Sequence, residues 1–477
     1  MNRNKKMKRK LLTGLTALSL GLAANTASAI DYHLCAGPTT VTMPDLTVIS
    51  MWGYGLDGDN NLATTADCNI TVPGPALTVP AGDTALNVFL RNDLTQEGVS
   101  LIIPGQSLPT DIAGSQHVPV MFTPTGGVAR ARVQSFVGEA AVNGGLNEYH
   151  WLGIKPGTYV YHSGTHPQVQ VQMGLYGAAT VEDPSGNPYA GTVVASESTF
   201  LYSEIDPALH AAVSGGTYTS CADGFAVCNA DLTAGNTPST VNYQPVYFLI
   251  NGQSFTDKKT AANWIQPTPA LVGSEQHLLR FINAGIKTHD PVIRGTNGGW
   301  DVIAENGRPY SFAKEQNSLV LPALSTKDVL VTVTAADAPK SYAVYDRMLN
   351  VTNGASEQPG GMISFLFIDN DNDADGVPNY LDNCVDRKNP GQVDTIGNGF
   401  GDACNFDINN DTVVNFGDVV TLLASANPPT SGVSLGDFND DGIINFGDVV
   451  TLLGFLNQPL GPSCDPQVAD PVICPLL

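Results

Sequence analysis

The nine residues NFGDVVTLL stand at 415–423 and again at 445–453. An exact repeat at a fixed offset means two copies of one supersecondary unit. Asp407, Asn409 and Asp411 precede the first copy; Asp437, Asn439 and Asp441 precede the second. With Asn415 and Asp418, or Asn445 and Asp448, each copy forms a twelve-residue loop of short oxygen donors. The carbonyls of Val413 and Ile443 fill position seven, so each loop is a calcium ladder. Val419, Val420, Leu422 and Leu423, and then Val449, Val450, Leu452, Leu453 and Leu456, predict a short amphipathic helix after each loop. Thr412 occupies the position where the sharp turn favours glycine, so the first loop is expected to bind more weakly.

The same chemistry begins earlier. Residues 369–477 hold seventeen Asp, no Glu, and only Arg387 and Lys388 as cations, a net charge of −15. A disordered polyanion would not repeat apolar residues at fixed positions. Asp371, Asp373 and Asp375 alternate, Gly376 follows, and Asp382 stands at loop position twelve. Then come Cys384, Asn389-Pro390, Gln392, Asp394 and Gly401-Asp402-Ala403-Cys404. Together 369–404 resemble a thrombospondin type 3 repeat, with Ile396 replacing an acidic ligand in its second half. Residues 405–460 resemble the duplicated loop–helix of dockerin modules. These resemblances imply calcium as cofactor and a cohesin-like protein partner docked on a helix face.

At the other end, Arg3, Lys5, Lys6, Lys8, Arg9 and Lys10 precede a short apolar run to Ala24 and the small-residue site Ala27-Ser28-Ala29. That is a secretory signal peptide over 1–29, and it predicts a secreted or cell-surface protein. No other stretch is long and apolar enough to span a bilayer. Removing the six leader cations takes the net charge from −23 to −29, which disfavours nucleic acid and anionic membrane as partners. Eight cysteines in an exported chain read most simply as four disulfides. Local spacing pairs Cys221–Cys228, Cys384–Cys404 and Cys464–Cys474, leaving Cys35 with Cys68. The last local pair closes a tail over 461–477.

Between these ends lie short alternating runs separated by Gly and Pro, the pattern of β-sandwiches. Two are expected, over 30–185 and 190–368. In PGPALTVPAGDTALNVFLRNDL, Leu86, Val88 and Leu90 alternate to one face and Ala81-Gly82-Asp83 makes a turn. This segment, together with GTYVYHSGTHPQVQVQMGLYGA at 157–178, resembles the first cupredoxin domain of multicopper oxidases. INGQSF, LLRFINAG, DVIAENGRPY and LVLPALSTKDVLVTV resemble the family's second, copper-free domain. The fold expected is therefore mainly β: two cupredoxin-like Greek-key sandwiches followed by a small calcium-binding loop and helix module.

The copper chemistry of that family is poorly supplied. Its HxHG motif would fall on Ser100–Gly105, where Ile102 and Pro104 replace the histidines. Its His-Ser-His is reduced to His162-Ser163-Gly164, with His166 four residues on. A blue copper centre needs a thiolate cysteine, and no cysteine here has a His neighbour. A trinuclear cluster needs eight histidines, which is all the chain has, and none forms an HxH pair. At most His162 and His166, with His150 or His117 and Met121 nearby, would make a mononuclear copper site. Otherwise they are hydrogen-bonded residues of a sandwich rim. His277 and His289 read as structural. Three functions follow: an extracellular binding or assembly protein, a copper-capture protein, or a copper-dependent oxidoreductase. The sequence leaves enzymatic activity open.

Overall fold

The computed structural model describes residues 28–62, 67–122, 132–216, 243–255, 271–272, 276–293, 300–332, 340–354, 356–369, 373, 375, 377, 379, 382–426, 430–431, 435–438 and 443–457. The leader before residue 28, Asp371, Asn439, Asp441 and the pairs Cys221–Cys228 and Cys464–Cys474 lie outside them.

The first sandwich is built from β1 (Ser28–Thr42), β2 (Val48–Leu56), β3 (Leu77–Val79), β4 (Asp83–Asn92), β5 (Val120–Phe122), β6 (Arg132–Ser135), β7 (Gly145–Leu152), β8 (Gly157–His162), α1 (Pro167–Met173) and β9 (Tyr176–Val181). One sheet runs β2-β1-β4-β7 and another β3-β9-β8, while β5 and β6 pair separately. The expected alternation holds in β4: Leu86, Val88 and Leu90 are fully buried. They join Leu77, Val79, Tyr149, Trp151, Tyr159 and Tyr161 in one core. Each such side chain contributes about 1.5–3 kcal/mol by leaving water. The turn at Ala81-Gly82-Asp83 closes with Asp83 N–H donating to Pro80 O (3.2 Å) and Gly82 at φ 98°. It carries the chain from one sheet to the other rather than making a hairpin.

One run departs from its apparent period. QVQVQ alternates like a strand, yet it forms α1. Pro167 sits in the helix's first turn, where its missing N–H costs nothing, and Gly174 at φ 120° ends it. Both kinds of residue are buried: Val169, Val171 and Met173 in apolar packing and Gln170 in hydrogen bonds.

The second sandwich comprises β10 (Ser196–Ile205), α2 (Pro207–Ser214), β11 (Tyr247–Ile250), β12 (Leu271–Val272), β13 (Gln276–Asn283), β14 (Pro291–Ile293), β15 (Trp300–Glu305), β16 (Arg308–Gln316), β17 (Thr326–Thr332), β18 (Lys340–Asp346), β19 (Thr352–Asn353), β20 (Ser356–Pro359) and β21 (Ile363–Asp369). Its sheets run β16-β15-β17-β13-β10-β11-β19-β20 and β12-β21-β18-β14. The core is aromatic: Phe281 stacks on Phe200 (5.0 Å) and on Trp300 (5.6 Å). The two sandwiches are packed together. Met43, Ile49 and Met51 meet Ile205, Tyr247 and Leu249, and Leu209 and Val213 of α2 reach back into the first core.

The tail forms α3 (Phe416–Ala426), β22 (Thr430–Ser431), β23 (Ile443–Ile444) and α4 (Phe446–Leu453). Its own small core holds Phe406, Val414, Val419, Leu422, Phe438, Ile444, Val449 and Leu452. Cys384 and Cys404 are disulfide-bonded, as are Cys35 and Cys68. Arg387 joins the two halves of the tail, donating to Phe438 O and lying over the Phe406 ring at 5.4 Å.

Candidate metal-binding sites

All six residues of β8 are buried, and His162 ends the strand. Opposite it, Ile102 N–H donates to His162 O (2.9 Å) and His162 N–H to Ile102 O (3.0 Å). Segments 100–105 and 157–162 are thus neighbours, as the resemblance implies, and Ile102 is the residue set against His162. The His162 ring is buried and Nδ1–H donates to Ser163 O (2.8 Å). Nε2 therefore carries the lone pair, and it has no hydrogen-bond partner in the protein. Burial lowers the pKa to about 4, so the ring is neutral at pH 7.

His166 has a different partner. Its backbone is left-handed (φ 35°) at the start of α1, and Nδ1–H donates to Glu97 Oε2 (3.1 Å). Burial opposes its charge, but the hydrogen bond and charge of Glu97 outweigh it and raise the pKa. Around it runs a polar network: Gln170 Nε2 donates to Glu97 Oε2 (2.9 Å), and Thr165 Oγ1 to Glu139 Oε1 (3.0 Å).

His150 belongs to the opposite sheet, and His117 to a loop, its ring bonding that sheet's β7. β7 and β8 follow one another in sequence but lie in different sheets, so the turn between them brings His150 no closer to His162. His150 Nδ1 bonds Asn87 Oδ1 (2.7 Å), with Nε2 3.7 Å from Glu148 Oε2. His117 Nε2–H donates to Glu148 O (2.9 Å) and its ring lies 5.2 Å from Tyr149. Met121 is half exposed on β5. All eight histidines are described. Among the described residues, three or more His, Cys, Asp or Glu donors converge within 4.8 Å only at Asp57–Asp67–Cys68 and Asp373–Asp375–Asp382. A trinuclear copper cluster does not fit this donor set: His166 is committed to a carboxylate, His150 is held on another sheet, and His117 is bonded to that sheet's backbone. His162 and His210 each combine a buried ring of lowered pKa with an Nε2 lone pair unengaged in the protein.

The aspartate loops do converge. Asp373, Asp375 and Asp382 bring carboxylate oxygens within 4.8 Å of one another. In the first repeat, Asp407 accepts from Asp411 N–H (3.0 Å) and Thr412 N–H (2.6 Å), and Asp418 from Asn409 N–H (3.1 Å) and Asn415 N–H (2.8 Å). The second copy repeats this frame. Asn445 N–H donates to Asp448 (2.8 Å), and Asn445 Nδ2 to Ile443 O (3.0 Å), matching Asn415 Nδ2 to Val413 O (3.0 Å). Asp437 lies at the entrance of that loop, half-buried. Asp407, Asp418 and Asp448 are buried. Burying carboxylates is costly, and a hard cation with oxygen ligands relieves that cost. Thr412 adopts φ 74°, which a β-branched residue tolerates poorly.

Two buried charged clusters carried no sequence signal. His289 Nδ1–H donates to Asp346 Oδ2 and Nε2–H to Glu204 Oε2, both at 3.0 Å. Burial alone would lower its pKa, but those two carboxylates raise it to about 9. Arg280 binds Glu197 Oε2 (2.6 Å) and lies 3.7 Å from buried Asp328, which also accepts from Thr158 Oγ1 (2.8 Å) and Tyr189. Thr158 belongs to the first sandwich and Asp328 to the second, so this cluster pins the two together. Partners 57, 83 and 170 positions apart in sequence leave no local pattern to read.

No protein-family model matches the chain, and no curated protein matches it. Solved structures do. A blue copper oxidase from Nitrosomonas europaea matches at 16% identity over 72% of this chain and 86% of that one, with a TM-score of 0.49. A multicopper oxidase matches at 18% identity over 74% and 88%, TM-score 0.48. A copper nitrite reductase from Nitrosomonas europaea matches at 18% over 72% and 95%, TM-score 0.47. At these values the likeness concerns the β architecture, and the metal and ligand must be argued from this chain's own residues.

Proposed function

We propose that the chain is an exported binding and assembly protein, in which an oxidase-like β scaffold that has lost the blue and trinuclear copper motifs carries a calcium-ordered docking module. The observation behind this reading is a duplicated apolar stripe. The VVTLL runs are split between two faces: Val419 and Leu422, and Val449 and Leu452, face the core. Phe416, Val420 and Leu423 lie at i, i+4 and i+7 on the outside of α3, and Phe446, Val450 and Leu453 repeat them on α4. Phe416 and Phe446 are 65% and 66% exposed. Exposed apolar residues repeated in register fit a protein-binding face better than chance exposure. The converging aspartates support calcium as the ion that orders it, and the leader and disulfides support export.

The partner expected from the dockerin resemblance is a cohesin-like domain. Full-length protein should bind such a domain in calcium and release it in chelator. Phe416→Asp with Phe446→Asp should weaken binding at least about a hundredfold, in the range of lost hot-spot residues. Undiminished binding by the double variant would refute the docking face.

A second reading, copper capture, is favoured by the buried lone pair of His162. Neutral imidazole suits copper. It predicts one retained copper per chain, lost in His162→Ala. Metal analysis finding none after reconstitution would end it.

A further inference from the structure

We propose a second kind of calcium site, in the first sandwich, built on Asp57, Asp59 and Asp67. It rests on different residues from the docking module and does not depend on it. Asp57 follows directly from β2, where its N–H donates to His33 O (3.0 Å). Its side chain is only 4% exposed, and neither carboxylate oxygen has a hydrogen-bond partner in the protein. Among the described residues, no salt bridge reaches Asp57, Asp59 or Asp67.

What Asp57 faces is more negative charge. Its carboxylate lies within 4.8 Å of Asp67, beside Cys68 Sγ. That sulfur is bonded to Cys35 and donates nothing to a metal, but the bridge ties the loop's end to β1. Asp67 Oδ2 accepts from Asp59 N–H (2.9 Å), and Asp59 Oδ1 from Asn61 N–H (2.8 Å). Asp57, Asp59 and Asn61 alternate as do the first donors of the tail loops. Asn60 between the last two takes the left-handed conformation (φ 57°).

An isolated buried carboxylate must be protonated or compensated. A hard divalent ion bound by these carboxylates would complete its shell with water. A site so sparsely furnished by protein belongs with extracellular modules whose Kd is about 10⁻⁴–10⁻³ M.

Hydrogen exchange of the intact chain, with about 10 mM calcium or with chelator, tests this. With calcium tenfold above Kd, loop opening should slow about tenfold over residues 57–62. Asp57→Asn should abolish that difference while leaving the calcium response of 382–457 intact. Asp67→Asn, at an exposed position, should do the same if the buried substitution disturbs folding. Exchange over 57–62 that is identical in calcium and chelator while the tail responds would overturn the proposal. So would both variants keeping the full difference. A response here with none in the tail would support this site and refute calcium in the docking module.

Discussion

The buried His289 makes the second sandwich sensitive to alkali in a defined way. Its pKa rises from 6.5 to about 9 because burial is outweighed by Asp346 and Glu204, each 3.0 Å away. A raised folded pKa means that the folded state holds the proton more tightly. The stabilisation is complete below pH 6.5 and is lost as pH climbs through 9. A shift of that size corresponds to roughly 3 kcal/mol. The same carboxylates hold the surrounding backbone: Glu204 accepts from Ile286 and Lys287 N–H (2.7 Å each), and Asp346 from Asp290 N–H (2.8 Å). Replacing His289 by Gln would leave two buried carboxylates facing each other, which costs about 3–5 kcal/mol. The assay is urea unfolding of the calcium-loaded chain between pH 6.5 and 9.5, followed by tryptophan fluorescence, since Trp300 lies in this core. Wild type should lose about 3 kcal/mol across the range, while His289→Gln starts lower and shows a flatter profile. A pH-independent wild type, or equal slopes in both proteins, would refute the ion-pair account.

Other outcomes follow from the same geometry. Thr412→Gly should stabilise the first tail loop by about 1–3 kcal/mol by relieving the left-handed strain at φ 74°, read as tighter calcium binding at that loop. In copper-free protein the first sandwich should weaken in acid. The His162 pKa of about 4 lies below its unfolded value, so stability present above pH 6.5 is lost progressively towards pH 4, by roughly 3 kcal/mol in total. Asp328→Ala should cost about 3 kcal/mol or more, because it deprives buried Arg280, Thr158 and Tyr189 of a shared partner; the unfolding midpoint reads it. Gly285→Ala should be comparably damaging, since a Cβ there would overlap the Glu204 carboxylate.

Much of the scaffold was legible because its signals are local. Period-two alternation fixed the buried face of β4, and the repeat at 415–423 and 445–453 fixed two equivalent loop–helix units whose hydrogen bonds agree to within about 0.1 Å at the Asn415 and Asn445 frames. The disulfides Cys35–Cys68 and Cys384–Cys404 follow from spacing and elimination. Context decides at QVQVQ: its period is a strand's, but flanking Pro167 and Gly174 and hydrogen-bond partners for Gln170 make it a helix. Apolar content also did not say which side of α3 faces inward; packing against Phe406 and Phe438 buries Val419 and leaves Val420 outside. The histidines were visible as residues but not as a site. Whether His166 meets a metal or Glu97 depends on a carboxylate 69 positions away. The Glu204–His289–Asp346 and Arg280–Asp328 clusters are wholly non-local.

We propose that the chain's metal is calcium held by aspartate loops rather than copper held by an oxidase cluster. Elemental analysis of the full-length protein, reconstituted with both metals and then dialysed, addresses it directly. The account predicts at least about two equivalents of calcium retained by the tail loops, with copper at no more than the single equivalent His162 would hold. Three or four coppers per chain, or a tail that retains no calcium, would contradict it.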